Sequence, residues 1–154
     1  MREQQQDASD APEDAVLTRI GQTMMLLHGG DREEARNRFG RLWEQLGADG
    51  DPLQRCTLAH CMADAQDDPY DELAWDLRAL TVAEEVGGHH VAMRALYPSL
   101  HLNLAADYVK LRRPDAARIH LDRAREASDT LDDDRYGAGV RAAIARLAKR
   151  LAAE

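Results

Sequence analysis

From residue 13 onward, apolar side chains recur every three or four positions, and each such stretch is cut by glycine, proline or aspartate. A strand would need alternation at every second position, so this pattern predicts amphipathic helices joined by tight turns. Val16, Ile20, Met24 and Leu27 make a first stripe, which His28-Gly29-Gly30 stops and after which Asp31 stands as an N-cap. A second helix, from Arg32 to about Leu46, aligns Ala35, Phe39, Leu42 and Trp43. Pro52 opens a third with Leu58, Cys61, Met62 and Ala65, and Asp67-Asp68-Pro69 separates it from a fourth running to Val86 with Leu73, Ala74, Leu77 and Leu80 inward.

Gly87-Gly88 ends that helix, and His89 or His90 starts the next region. Pro98 lacks a backbone donor and clashes with the turn before it, so a restart or strong bend is expected near Tyr97. A sixth helix from Pro114 to Ser128 points Ala117, Leu121 and Ala124 inward, and a last one over about 133–152 carries Tyr136, Val140, Ile144, Leu147 and Leu151. Residues 1–12 lack periodicity and read as a flexible tail ahead of a single domain over 13–154.

Aromatic residues are 5% of the chain and apolar ones 44%, mostly Ala and Leu, which suits closely packed helices. A net charge of −8 argues against nucleic acid and anionic membranes, since both are bound through clustered cations. The longest apolar run, Met24-Met25-Leu26-Leu27, is far short of a membrane span. Cys56 and Cys61, five apart on one helix, diverge around its axis and read as reduced, buried thiols of a cytoplasmic protein.

Helices of this length fit either a bundle or a solenoid, and particular residues favour the second. Over Ser99–Thr130, His101 is followed by Asn103, Leu104, Ala105 and Tyr108, then by Ala117, Leu121 and Ala124 in a small, large, small order. This stretch resembles a tetratricopeptide repeat (TPR), with His101 where that family prefers Trp. Gly30-Asp31, Ala35 and Phe39 resemble a second copy, although Arg19, Gln22 and Thr23 replace the family's Trp, Leu and Gly. The middle hairpin matches in outline only, since Ala35, Ala74 and Ala117 are spaced more widely than the family period. The chain is also similar to TPR-like proteins of actinobacteria.

The resemblance implies an all-α fold of about seven antiparallel helices, stacked as a short right-handed α-solenoid. Its hairpins fall at about 13–46, 52–86 and 89–128, with a capping helix at about 133–152. It further implies a concave groove lined by the first helix of each hairpin: Ile20, Met24 and Leu27, then Ala59, His60 and Ala63, then Leu102, Asn103, Ala106 and Lys110. Such a groove is apolar and would bind a protein or peptide, or pair the chain with a second copy through Met24–Leu27. Chaperone-binding members hold a terminal carboxylate in a cationic clamp, which here shrinks to Asn103 and Lys110, so no clamp is expected.

Two motifs carry a chemical alternative. Asp67-Asp68-Pro69-Tyr70-Asp71 has the spacing of a magnesium-binding acidic motif, but Pro69 marks a helix start for which Asp68 is the natural cap and Asp71 and Glu72 the favourable first-turn charges. Cys56 and His60 could share a face and, with Cys61 or His101, bind zinc, yet no paired-ligand spacing supports this. The expected function is therefore an interaction module without cofactor or catalytic residues. A small-molecule or signal-peptide sensor using the same groove is the alternative, and a metal-dependent enzyme at Asp67, Asp68 and Asp71 a distant third.

Overall fold

The computed structural model describes residues 2–87 and 90–153, with side chains from residue 15 onward. Every regular element among them is helical: α1 (Arg2–His28), α2 (Arg32–Leu46), α3 (Pro52–Asp64), α4 (Pro69–Val86), the single turn α5 (Val91–Arg94), α6 (Tyr97–Lys110), α7 (Pro114–Ser128) and α8 (Arg135–Ala153). The backbone of α1 runs through the stretch read as a tail, whose side chains lie outside those described, as do His89 and Gly88. None of these helices is long and apolar enough to cross a membrane.

The turn chemistry places the boundaries. Asp51 and Asp68 each accept a backbone N–H of the following helix, from Gln54 at 3.0 Å and from Tyr70 at 2.7 Å, and a proline follows each cap. Gly47 ends α2 at φ 65°, a conformation that a side chain disfavours. Asp31 occupies the N-cap position of α2, but its side chain accepts no capping bond. The chain restarts at Pro98: α5 is one turn, capped by His90 Nδ1 accepting from Met93 N at 3.2 Å, and α6 begins anew at Tyr97. In the acidic turn before α8, Asp134 accepts the Gly137 N–H at 2.8 Å, and a Cβ on Gly137 would collide with the Asp132 carbonyl oxygen.

Helices pack against the next helix in the chain or the next but one, as in α1 with α2 and α3, α4 with α6, and α6 with α7 and α8. Three apolar clusters result. The first joins α1, α2 and α3 around Ile20, Leu27, Phe39, Leu58 and Met62. The second joins α3, α4 and α6 around Cys56, Ala59, Ala79, Ala83, Leu100 and Leu104, and takes in Met93 of α5. The third joins α6, α7 and α8 around Ala105, Ala117, Leu121, Ala124, Val140, Ile144 and Leu147. Ala105, Ala117 and Ala124 are fully buried, so the small residues of the repeat-like stretch do lie where helices meet closely.

One helix is rolled relative to expectation. In α4, Ala74 and Leu77 are exposed, while Asp76, Ala79, Leu80, Val82 and Ala83 are buried. This helix has apolar residues around most of its circumference, so its stripe could not select a face. Trp43 of α2 and Trp75 of α4 help fix the roll by packing edge to face, with centroids 5.3 Å apart. The Arg78 guanidinium lies over both rings and that of Arg55 over Trp43.

Candidate functional site

The expected groove residues divide into two groups. Ile20, Leu27, Ala59 and Ala63 are buried in the helix contacts and offer no surface to a partner, while Met24, Leu102 and Ala106 are partly covered. His60, Asn103 and Lys110 do converge, from α3 and α6. Asn103 Nδ2 lies 3.1 Å from His60 Nδ1, across 43 residues of sequence, and Lys110 Nζ donates to Glu72 Oε1 at 2.8 Å. An amide nitrogen can only donate, so His60 Nδ1 is the acceptor in this bond and carries no proton.

Helical spacing supplies the rest of the patch. His60 and Asp64 share a face of α3, Glu72 and Asp76 share one of α4, and Asn103, Asp107 and Lys110 follow at i, i+4 and i+7 on α6. The resulting face is polar and predominantly acidic rather than apolar. Asp76 and Asp107 are buried, and their carboxyl groups lie within hydrogen-bonding reach of each other. Burial foremost pushes Asp107 up to about 10 and Asp76 up to about 7, the latter restrained by hydrogen bonds from Asp107 and Asn103. Burial also raises Asp64 and lowers His60.

Sequence reading missed Asp76 and Asp107, although a signal existed. Asp76 lies three residues after Leu73 and four before Leu80, and Asp107 three after Leu104 and four before Leu111. An acid on the apolar stripe of a helix is either buried with a partner or misplaced.

The other candidate ligands do not gather. Asp67 pairs with Arg32 at 3.0 Å and Arg36 at 3.1 Å, which hold its carboxyl below the usual range, while Asp68 caps α4. Cys56 is turned to α4, its thiol 3.4 Å from the Ala79 carbonyl, and burial pushes both thiols up to about 12. Among the described residues no group of three or more His, Cys, Asp or Glu is arranged to hold a metal ion.

His101 and Tyr108 lie across α6 from Asn103 and both stack with His120 from α7, with centroids 5.4 and 5.5 Å from its ring. The His101 and His120 Nδ1 atoms are 3.1 Å apart, so one donates and the other accepts. Tyr97 continues the stack and donates its hydroxyl to the Ala83 carbonyl at 3.0 Å. His60, His101 and Tyr108 therefore do not ring one pocket. A cleft of about 470 Å³ lies elsewhere, between α1 and α2, lined by Arg19, Gln22, Glu34, Arg38, Arg41 and Gln45 among others. No known family, characterised protein or solved structure matches this chain.

Proposed function

We propose that this chain is a TPR-like interaction module that binds a protein or peptide across the face where α3, α4 and α6 meet. In this reading α1–α2, α3–α4 and α6–α7 are stacked hairpins and α8 is the terminal cap. The observation that carries it is the Asn103–His60 hydrogen bond, which ties the first helix of one hairpin to the first helix of the preceding one. Packing confined to helices near in sequence is what a stack of hairpins produces. The exposed side of α8, with Arg146, Lys149 and Arg150, suits a polar-faced cap.

The partner would meet a rim of opposite charges, Asp64 and Lys110, over the polar patch rather than an apolar trough. Lys110 is engaged by Glu72, which leaves no free cation here for a terminal carboxylate and favours partners other than chaperone C-termini. Two buried free thiols suit a reducing, cytoplasmic setting.

The test is affinity capture of the partner from the source organism, followed by titration of the purified pair. Exchanging the rim charges in Asp64→Lys/Lys110→Glu is expected to weaken binding at least about tenfold while the free protein keeps its helical circular-dichroism spectrum. A partner that binds this variant as tightly as the parent chain would sink the assignment of the face.

A further inference from the structure

Asp76 and Asp107 are 1% and 3% exposed, on helices α4 and α6, which pack against each other. No donor reaches Asp76 Oδ1 or Asp107 Oδ2. His60 Nδ1 is 3.8 Å from Asp76 Oδ1, but it accepts from Asn103 and has no proton to give. The two carboxyl groups nevertheless come within hydrogen-bonding reach of each other. Two buried carboxylates that close would repel with no hydrogen between them, so the contact holds when one acid of the pair retains its proton.

We propose that this shared proton is a latch between α4 and α6. With the proton present, the pair is a charge-assisted hydrogen bond across the joint between the α3–α4 and α6–α7 hairpins. Without it, two like charges meet in a water-poor contact and force the helices apart. The joint lies directly beneath the polar face, so opening it would move Asn103 and Lys110 of α6 relative to His60, Asp64 and Glu72.

The groups around the pair favour keeping the proton. From α3 come neutral His60 and the acid Asp64, itself influenced by His28 of α1; α4 adds the acid Glu72. On α6, Asn103 donates to Asp76, and the cation Lys110 is bound to Glu72. On α7, His120 and Arg123 act on His101 across α6. In α5, His90 is spent on a cap, and Arg141 of α8 donates to the Ser128 and Leu131 carbonyls. Burial and neighbouring acids thus hold Asp107 protonated through neutral pH, with Asp76 titrating near it.

The sign follows from linkage. A carboxyl whose folded pKa lies above its unfolded value makes the fold bind more protons than the unfolded chain, so stability is full below the unfolded value and is lost as pH rises toward the folded one. Unfolded histidines are still half protonated at about pH 6.5 and unfolded thiols begin to ionise by about pH 8, but these groups are common to the parent chain and to a variant of the pair, so the difference between their slopes reports the pair.

Infrared spectra of the full chain with 13C-labelled aspartate should show a protonated-carboxyl C=O band at about pH 7, where unperturbed aspartates are ionised. That band should be lost in Asp107→Asn. As pH rises from about 6.5 to about 8, the thermal midpoint of the parent chain should fall relative to that of Asp107→Asn, whose amide can still donate to Asp76. Absence of the band from the parent chain overturns the latch even if the variant does not fold. A variant that keeps the parent's pH slope overturns it as well.

Discussion

His101 shows how one side chain reports its surroundings. It sits on α6 as a neutral imidazole in a stack with Tyr97, His120 and Tyr108. Burial foremost, with the adjacent His120 and Arg123, pushes its pKa down to about 4. A depressed histidine leaves the folded state with fewer bound protons than the unfolded one. The stability it lends is therefore present above the unfolded value of about 6.5 and lost as pH falls toward 4. As pH falls from about 6.5 to about 4, where the buried acids gain stability and His101 loses it, His101→Phe should therefore gain thermal stability relative to the parent chain. An NMR titration placing the His101 ring near its unperturbed value would refute this account. The acidic pair Asp76 and Asp107 was readable, in principle, from position on an apolar stripe. Its partnership was not, because Asp107 lies on a helix separated from α4 by the turn α5, and spacing within α6 does not say which neighbour it meets.

At the scale of single helices, local chemistry decided almost everything. The boundaries of α2, α4 and α7 fall where glycine, proline and the acidic caps predict them, since the groups that start and stop a helix are within a few residues of its end. Capping differs in strength between positions that look alike in sequence. Asp51 accepts a bond from Gln54 N, whereas Asp31 makes none with α2. Asp51→Ala should accordingly cost about 1 kcal/mol in urea unfolding, while Asp31→Ala should cost distinctly less. Equal losses from the two substitutions would contradict the cap geometry. The roll of α4 about its own axis lay beyond this local logic, because Leu73, Ala74, Trp75, Leu77, Leu80 and Val82 give it apolar groups on several sides. Neighbouring surfaces chose among them.

Across the whole molecule, three apolar clusters follow one another along the chain, and shared elements couple them. Trp43 and Trp75 border both the first and the second, and α6 gives Leu100 and Leu104 to the second and Ala105 to the third. Coupling between clusters should decay with distance along such a series. Ile144→Ala, which opens a space between α8 and its neighbours, should cost about 2–5 kcal/mol locally. Hydrogen exchange should then speed most in α7 and α8 and least in α1 and α2. Uniform acceleration over all helices would show a single cooperative unit instead.

The residues alone determined that the chain is helical, where most helices begin and end, and that Ala105, Ala117 and Ala124 lie at close contacts, because each of these depends on spacing within one segment. Tertiary structure decided which face of α4 is inside, that Ile20, Leu27 and Ala63 are core, and that His60, Asn103 and Lys110 meet a group of acids. Those outcomes depend on the rotation and offset of helices far apart in sequence. They follow from how whole surfaces fit, a quantity no single segment contains.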